Sequence, residues 1–267
     1  MKKFGLLGKN ISYSFSPTLH EKIFELYNIE AEYKIYDLDN ENSIEHFLST
    51  LKADGILGLN ITIPYKTTIL KFVNELSPEV KAIGAANCIK FSDNKIIAYN
   101  TDYFGLIKTF KKMGLNLKNK KVVVLGSGGA AKATIKALED LKAIVYTVSR
   151  DPEKAKQTLH SSFTISYDEL MKTSGYLIIN ATPVGTFPNT EISPVPKEVL
   201  LNFDFALDLI YNPKETLFLK FAYSNNKQIE NGLCMLISQG VKSEEIWNEV
   251  ELNYEKIYDE LIDEIYK

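Results

Sequence analysis

The sequence has little arginine, cysteine, histidine or tryptophan. Of its 31 basic residues only Arg150 is an arginine, and the net charge is -3. A general nucleic-acid binder needs a basic face, so this charge balance argues against that class of function. The two cysteines, Cys88 and Cys234, are far apart in the sequence and show no metal-ligand spacing. They indicate a reducing compartment rather than a disulfide scaffold.

Long hydrophobic runs are also missing. No segment approaches the roughly 20 apolar residues of a membrane-spanning helix, and the N-terminal apolar stretch is too short for a signal peptide. We therefore expect a cytoplasmic protein that does not bind a membrane. The three histidines, His20, His46 and His160, have no spacing that suggests a metal site, so no metal is expected.

The sequence does show a repeated alternation of β-like and helix-like segments. Helix-like stretches at 17–27 and 43–51 lie between apolar runs in the first half, and a second alternation begins at 120–126. This pattern predicts two α/β domains with mostly parallel, helix-covered sheets and a ligand cleft between them. From about Ser238 the chain is predicted to form a helix that closes a core, with apolar residues near helical spacing: Ile246, Val250, Ile257, Leu261 and Ile265.

A glycine-rich turn is the most specific local signal. Gly126, Gly128 and Ala131 match G-x-G-x-x-G/A between a β-branched run and an alanine-rich helix former. The first glycine permits a tight turn, the second lets a pyrophosphate approach the backbone, and the helix N–H groups face the phosphates. We predict a dinucleotide site with a Rossmann-type fold, the alternative being a tight strand-to-helix turn without a ligand.

The only arginine follows the second strand of this predicted unit. It stands in the tripeptide Ser149–Arg150–Asp151, about 20 residues after the first glycines, where the fingerprint places a ribose contact. A guanidinium can contact a 2′-phosphate bidentately, and Lys154 adds a second positive charge. Asp151 acts in the opposite direction, because a carboxylate repels a phosphate. The pattern favours NADP and leaves NAD open, and Arg150 could also be a solvated surface charge.

Small polar side chains gather in three segments of the first half. Ser14 and Ser16 precede a helix that starts at Pro17. They could bind a carboxylate or cap the helix, and spacing alone favours capping. If 59–63 is a strand, Asn60 and Thr62 share one of its faces.

Lys66 follows the second of these segments, at the end of a strand, where a parallel sheet presents its ligands. The third segment contributes Asn87, with Asn100, Thr101 and Asp102 a little further on. A lysine and an aspartate near each other in a cleft form a plausible proton-transfer pair. A structural salt bridge is the alternative, and from these residues alone it is preferred.

Taken together these segments resemble the shikimate dehydrogenase family nearly end to end. The resemblance implies a reversible reduction of 3-dehydroshikimate to shikimate by a nicotinamide cofactor, in chorismate and aromatic amino-acid biosynthesis. It also implies two α/β domains, with the C-terminal helices returning to the first. The matching motifs are S-x-S-P at 14–17, N-x-T-x-P-x-K at 60–66, G-A-x-N at 84–87, N-T-D at 100–102, G-x-G-G-A at 126–130, N-A-T-P-x-G at 180–185, D-x-x-Y-x-P at 208–213 and G-x-x-M-L-x-x-Q-G at 232–240.

The family pattern assigns roles to individual residues. Lys66 and Asp102 form the implied catalytic pair. The implied substrate ligands are Ser14 and Ser16 for the carboxylate with Tyr211 nearby, and Asn60, Thr62, Asn87, Asp102 and Gln239 for the ring and its hydroxyls. The implied cofactor contacts are Gly126, Ser127, Gly128, Gly129, Ala130, Ser149, Arg150, Lys154, Thr182, Leu209, Gly232 and Met235.

The chain departs from the family pattern in three places. The usual N-R-T reads Ser149–Arg150–Asp151 here, which removes neutral donors and adds a carboxylate beside the predicted 2′-phosphate. G-A-V-N-T reads G-A-A-N-C at 84–88, and Thr186 replaces a methionine.

The predicted organisation is a substrate and catalytic domain at 1–101 and 236–267 and an NADP-binding domain at 102–235. The expected partner is a small-molecule substrate, and the expected assembly is a monomer or a homodimer. Two alternatives stay open: an NAD-preferring quinate/shikimate dehydrogenase, and a non-catalytic dinucleotide or metabolite sensor on the same fold. The intact Lys66 and Asp102 argue against the sensor.

Overall fold

The computed structural model describes residues 1–12, 14–93, 95–159 and 163–265, so His160 lies outside the described residues. The chain forms two compact units. Unit 1 comprises Met1–Gly105 and Ile237–Lys267, and unit 2 comprises Leu106–Leu236. The predicted boundaries were at 101/102 and 235/236, and the substrate and cofactor roles assigned to those domains stay predictions.

Unit 1 is built on a mixed sheet flanked by helices. The C-terminal helices of the chain also belong to this unit. Its elements are β1 Lys2–Gly8, α1 Ser16–Tyr27, β2 Ala31–Asp37, α2 Ile44–Ala53, β3 Gly58–Ile61, β4 Glu75–Leu76, α3 Pro78–Ile83, β5 Cys88–Ser92, β6 Lys95–Tyr99, the start of α4 Thr101–Lys112, most of α10 Leu233–Asn248, and α11 Tyr254–Ile265.

The strand order of this sheet is β2-β1-β3-β5-β6-β4. β1 pairs parallel with β2 and β3, whereas β5 runs antiparallel to both β3 and β6. The hairpin of β5 and β6 was not predicted, because its segments read only as polar-flanked apolar runs. It matters for the site, since it places the residues before β5 and after β6 at one end of the sheet.

Unit 2 is a doubly wound sheet in which every described strand pair is parallel. Its order, β12-β11-β10-β7-β8-β9, is the 3-2-1-4-5-6 order of dinucleotide-binding folds read from the other edge. The predicted α/β class is confirmed. The elements are β7 Lys121–Leu125, α5 Gly129–Asp140, β8 Ile144–Val148, α6 Pro152–Leu159, β9 Phe163–Ile165, α7 Tyr167–Leu170, β10 Gly175–Asn180, α8 Lys197–Leu200, β11 Phe203–Asp208, α9 Leu217–Tyr223 and β12 Gln228–Glu230.

The position of β7 in the middle of the sheet explains why its residues are apolar at every position and not at alternate ones. Val122, Val123, Val124 and Leu125 are all fully buried in β7. A strand in the middle of a parallel sheet is covered by helices on both faces, so both sets of side chains must be apolar. β10 on one side and β8 on the other complete the core of the unit.

The predicted C-terminal helix is two helices. α10 ends at Asn248 and α11 begins at Tyr254, and Glu249 between them adopts a left-handed φ of 55°. Val250, predicted to lie on the buried face, is 44% exposed in this break, whereas Ile257, Leu261 and Ile265 are buried on α11. Among the described helices none is long and apolar enough to cross a membrane.

Candidate active site

The ammonium of Lys66 and the carboxylate of Asp102 form an ion pair in unit 1. Lys66 lies in the turn after β3, and Asp102 lies in the first turn of α4 after β6. Nζ of Lys66 is 2.5 Å from Oδ2 of Asp102, and the two side chains are only 16% and 6% exposed. Water screens such a pair less than it screens a surface pair. The structure thus brings together the two residues that the family resemblance assigns to a catalytic pair and that the residues alone predicted as a structural salt bridge.

Asn87 holds the other oxygen of this carboxylate. Its Nδ2 donates to Oδ1 of Asp102 at 2.9 Å and to Oγ1 of Thr101 at 2.9 Å. Its Oδ1 accepts the backbone N–H of Thr101 at 2.6 Å. Oε1 of Gln239, from α10, is 3.3 Å from the same Nδ2. Because Lys66 and Asn87 bind different oxygens, the orientation of the Asp102 carboxylate is fixed.

Asn60 lies deeper in the same hydrogen-bond network. Its side chain is buried on β3, where Nδ2 donates to Oγ of Ser243 at 2.9 Å and to the carbonyl of Asn87 at 3.3 Å. Its Oδ1 accepts the hydroxyl of Tyr33 at 2.8 Å. An amide has two donors and two acceptor lone pairs, so one lone pair of Oδ1 remains for a ligand. Most of the hydrogen-bonding capacity of the Asn60 amide is therefore used by partners inside the protein.

Sequence reasoning missed Tyr33, Thr101 as a hydrogen-bonding partner, and Ser243. A signal for Ser243 was present, because it stands four residues after Gln239 and so shares a helix face with it. Its Oγ also contacts Oγ1 of Thr101 at 3.2 Å. Tyr33 carried no local signal, since a tyrosine in a strand is ordinary.

Thr62 lies one residue beyond β3, which ends at Ile61 and not at Ile63 as expected. The backbone N–H of Thr62 still donates to the carbonyl of Leu7 at 2.9 Å. The side chain of Thr62 is half-buried.

Ser14 and Ser16 contact each other at the start of α1. Their hydroxyl oxygens are 3.1 Å apart, and Oγ of Ser14 accepts the backbone N–H of Ser16 at 3.2 Å. The N-cap of α1 is Phe15, and no side chain of a described residue caps the helix. Neither serine is the N-cap residue, because the helix starts at Ser16, and Ser14 instead accepts the N–H of that first residue.

The glycine-rich turn of unit 2 has an open backbone at the start of α5. Gly126 has a φ of 112°, a region that residues with a Cβ avoid. A Cβ on Gly128 would meet no heavy atom within 4 Å, so the backbone faces open space. α5 begins at Gly129 without a described side-chain cap, which leaves its first N–H groups for an anion. Ser127, Gly129 and Ala130 belong to the same turn, and the turn as a whole fits a pyrophosphate.

The turn after β8 carries the predicted cofactor selector. Oδ1 of Asp151 accepts the backbone N–H of Lys154 at 3.0 Å, and its carbonyl accepts the N–H of Ala155 at 3.1 Å. Asp151 is therefore the N-cap of α6, a role that the sequence did not predict. The backbone N–H of Asp151 donates to Oγ of Ser149 at 3.2 Å. The Asp151 carboxylate was the feature that argued against NADP. One of its oxygens thus accepts a hydrogen bond at the N-terminus of α6.

Arg150 is exposed beside this cap. Within the described ranges its guanidinium has no hydrogen bond or ion pair. Burial raises the pKa of Tyr167, and the positive charge of Arg150 partly opposes this increase. A forked cation at this position is free to contact a phosphate.

A buried carboxylate connects two loops at the ends of β10 and β11. Oδ1 of Asp208 accepts Nδ2 of Asn180 at 3.0 Å and the N–H of Ile210 at 3.0 Å, and Oδ2 accepts the hydroxyl of Thr216 at 2.6 Å. Burial raises the pKa of Asp208 to about 6. Oδ1 of Asn180 accepts the hydroxyl of Thr182 at 2.7 Å. The predicted cofactor residue Thr182 is therefore held through this network.

Gly232 lies against the same loops. A Cβ there would be 2.1 Å from the carbonyl oxygen of Leu209, so only glycine fits. The N–H of Leu209 donates to the carbonyl of Asn180 at 3.0 Å. Met235 is buried three residues further on, and Tyr211 is half-buried in the loop after β11. The structure thus links Leu209 and Gly232 directly, as neighbours in unit 2.

The described residues contain no group of three or more His, Cys, Asp or Glu side chains suited to a metal ion. The polar groups of the site are instead amides, hydroxyls and one ion pair.

Comparisons with known proteins agree with this geometry. Residues 6–89 match the family model described as the shikimate dehydrogenase substrate binding domain. The chain is 42% identical to the shikimate dehydrogenase (NADP(+)) of Clostridium perfringens (strain 13 / Type A) over 98% of each chain. It superposes on the crystal structure of shikimate dehydrogenase 1 from Peptoclostridium difficile with a TM-score of 0.93, at 42% identity and 98% coverage of each chain. The enzyme of Thermus thermophilus in complex with NADP(H) and shikimate gives a TM-score of 0.86 at 27% identity, covering 97% of this chain and 98% of that one.

Proposed function

The chain belongs to the shikimate dehydrogenase family, and we propose that it reversibly reduces 3-dehydroshikimate to shikimate with NADPH. It is an NADP-dependent oxidoreductase acting on a CH–OH group, in the route to chorismate and the aromatic amino acids. The observation that carries the proposal is the Lys66–Asp102 ion pair of 2.5 Å, oriented by Asn87. A non-catalytic sensor has no need of such a pair.

Lys66 is the proposed acid in the direction of reduction. The ketone oxygen gains negative charge as the carbonyl carbon is reduced, and the ammonium of Lys66 donates its proton to that oxygen. In the reverse direction, the neutral amine of Lys66 accepts the proton of the shikimate hydroxyl. Bound NADPH supplies the hydride for the carbonyl carbon, and NADP+ accepts it in the reverse reaction.

Asp102 holds the proposed acid in place. Its Oδ2 accepts a hydrogen bond from Nζ of Lys66, while Oδ1 is occupied by Asn87. This arrangement limits the rotation of the Lys66 side chain. We propose that Asp102 also binds a substrate hydroxyl, because its carboxylate has further acceptor capacity.

The other proposed substrate ligands of unit 1 are Ser14 and Ser16 for the carboxylate, and Asn60, Thr62, Asn87 and Gln239 for the ring. Two hydroxyls 3.1 Å apart at the start of α1 suit a carboxylate, which accepts two hydrogen bonds side by side. Gln239 and Asn87 already contact each other, which supports a shared ligand. Tyr211 of unit 2 stays a proposed carboxylate ligand.

We propose that NADP binds unit 2 at the glycine-rich turn, with its 2′-phosphate on Arg150. The turn residues Gly126 and Gly128 would receive the pyrophosphate, and Ser149 and Lys154 would lie beside Arg150. The open backbone at Gly128 supports this assignment, as does the guanidinium of Arg150, which has no hydrogen bond or ion pair with any described residue. Further along the cofactor we place the residues of the linked loops: Thr182, Leu209, Gly232 and Met235.

An NAD-preferring quinate/shikimate dehydrogenase is the second candidate, and it depends on Asp151. In NAD sites an acidic residue accepts the ribose hydroxyl. Here one carboxylate oxygen of Asp151 is used by the N–H of Lys154. This observation supports a capping role and lowers the weight of the second candidate.

The decisive experiment compares initial rates with shikimate and with quinate, each with NADP+ and with NAD+. We expect shikimate with NADP+ to be the most efficient combination. Quinate oxidation with NAD+ exceeding it would replace the first proposal by the second. Binding of shikimate without turnover under any of the four conditions would indicate a sensor.

The location and assembly of the protein are also proposals. We propose a cytoplasmic enzyme, because Cys88 and Cys234 are both buried and neither forms a disulfide, as is typical of a reducing compartment. We propose a monomer or a homodimer. Light scattering of the purified protein distinguishes these two states from larger assemblies.

A further inference from the structure

A hydrogen-bonded histidine–carboxylate pair lies behind Asn60 in the interior of unit 1. Nδ1 of His20, on α1, is 2.5 Å from Oε1 of Glu244, on α10, and both side chains are fully buried. The other carboxylate oxygen accepts Nδ2 of Asn248 at 2.7 Å. A buried pair of this kind is costly to break, since the remaining partner would be left as a buried polar group without its hydrogen bond. The pair therefore fixes α1 and α10 against each other at this level.

The ring of His20 stacks on the ring of Tyr33. Their centroids are 4.1 Å apart and their planes differ by 8°. Because Glu244 fixes the imidazole of His20, the stacked phenol has little freedom to tilt. Burial, and then the charge of Glu244, raise the pKa of Tyr33 well above its usual value. The Tyr33 hydroxyl therefore remains protonated and can act as a donor.

We propose that Tyr33 is a positioning residue for substrate binding, which sets the orientation of the Asn60 amide, and that His20 and Glu244 hold Tyr33 in place. This inference rests on the proposed function. The hydroxyl of Tyr33 donates to Oδ1 of Asn60. A flipped amide would direct its N–H groups at that donor and lose the bonds of Nδ2 to Ser243 and to the Asn87 carbonyl.

A chain of hydrogen bonds connects Asn60 to the proposed substrate ligands. Asn60 contacts Ser243, Ser243 contacts Thr101, and Thr101 contacts Asn87, which binds Asp102. All of these residues belong to unit 1. The effect of Tyr33 is therefore expected on shikimate binding and not on the affinity of unit 2 for NADP.

Tyr33→Phe tests the proposal with the least disturbance, because it removes one oxygen and keeps the ring stack. We expect the KM and the Kd for shikimate to rise about tenfold, since one buried acceptor of Asn60 loses its donor. We expect kcat to fall less than about threefold and the Kd for NADP to stay unchanged. Steady-state kinetics, calorimetry with shikimate and a fluorescence titration with NADPH give these values.

Tyr27→Phe is the matched control. Tyr27 is also on unit 1, and its hydroxyl accepts the backbone N–H of Asn253 at 2.8 Å, away from the Asn60 network. We expect this variant to lower thermal stability slightly and to leave the shikimate KM within about twofold of the wild type. If Tyr33→Phe changes KM and kcat no more than Tyr27→Phe does, Tyr33 is only structural and the proposal is wrong.

Glu244→Gln and the double variant with Tyr33→Phe test the role of the His20–Glu244 pair. Both changes act through Asn60, so we expect the double variant to raise the shikimate KM by less than the product of the two single effects. Independent, multiplying effects would overturn the link between the pair and Tyr33.

The outcomes also separate this inference from the proposed function. If the wild type binds shikimate without oxidising it, the proposed activity is wrong, and the Kd ratio still decides the role of Tyr33. If the wild type neither binds nor oxidises shikimate, both proposals fail.

Discussion

The two units hold their charged groups in opposite ways. In unit 1 the Asp102 carboxylate lies 2.5 Å from the Lys66 ammonium. In unit 2 the fully buried Asp208 receives hydrogen bonds from an amide, a hydroxyl and a backbone N–H, and all of these donors are neutral. Arg150 of the same unit is exposed, and among the residues described it has no partner.

This difference separates chemistry from architecture. A carboxylate hydrogen-bonded to a cation can orient a proton donor. Burial of a carboxylate among neutral donors raises its pKa more than their hydrogen bonds lower it, as at Asp208, and its contribution is to tie loops together. An exposed guanidinium has not been desolvated by folding, so all of its N–H donors can bind a ligand phosphate.

Replacing Lys66 should have the largest effect. We expect Lys66→Ala to lower kcat by about 10²- to 10⁴-fold, because the proposed acid is lost. The Kd for NADPH, measured by fluorescence, should remain within about twofold. Lys71→Ala, a nearby exposed lysine, is the control and should retain full activity. Unchanged turnover of Lys66→Ala would remove Lys66 from the mechanism.

Asp208 should contribute a pH dependence to stability. Its pKa is raised from 3.8 to about 6, so the native state binds more protons than the unfolded state between these values. Its contribution is therefore favourable in acid and is lost as the pH rises from about 4 to about 6.

We expect Asp208→Asn to remove this dependence. Relative to the wild type, its unfolding free energy should increase by up to about 3 kcal/mol between pH 4 and pH 7, since one pKa unit corresponds to 1.36 kcal/mol. Urea unfolding at several pH values measures the difference. Asp204→Asn, an exposed aspartate on the same strand, is the control. Parallel pH profiles of wild type and Asp208→Asn would contradict the assignment.

Arg150 should decide between the two cofactors. We expect Arg150→Ala to weaken NADPH binding by about 10- to 100-fold, because a charge-assisted contact with the 2′-phosphate is lost. NADH binding should change less than about threefold. Lys156→Ala removes an exposed cation that pairs with Glu153 and should affect neither cofactor. Equal losses for NADPH and NADH would mean that Arg150 is structural.

Asp151 should show the smallest effect. We expect Asp151→Asn to keep the cap of α6, to leave stability within about 0.5 kcal/mol, and to tighten NADPH by less than about threefold. Asp151→Ala should lower stability by about 1 kcal/mol, since the cap is lost. A strong loss of NADH affinity in Asp151→Asn would instead identify Asp151 as the ribose ligand.

Much of the architecture could be predicted because it depends on local patterns. The β-branched run of β7, the glycines after it and the small residues of α5 each reflect a local backbone requirement. The C-terminal break was not predictable in the same way. Val250 fits the helical spacing of its neighbours, and the left-handed Glu249 carries no glycine or proline signal.

The residues of the site could be predicted from the sequence, but the hydrogen bonds between them could not. Ser14 and Ser16 looked like helix caps because spacing does not show at which residue α1 begins. Asp151 looked like a ribose ligand because sequence does not show where its carboxylate points. Tyr33, Ser243 and Glu244 were missed, because each acquires its partner from a segment distant in sequence.

The sequence by itself therefore determined the fold class, the glycine-rich turn and the residue types of the site, since these follow from local backbone geometry and chemical periodicity. The tertiary structure decided which oxygen of Asp102 meets Lys66, what Asp151 binds, and how Asn60 is oriented. The physical reason is that hydrogen bonds between β2, β3, α4 and α10 depend on sub-ångström distances and directions. No spacing within one segment encodes them.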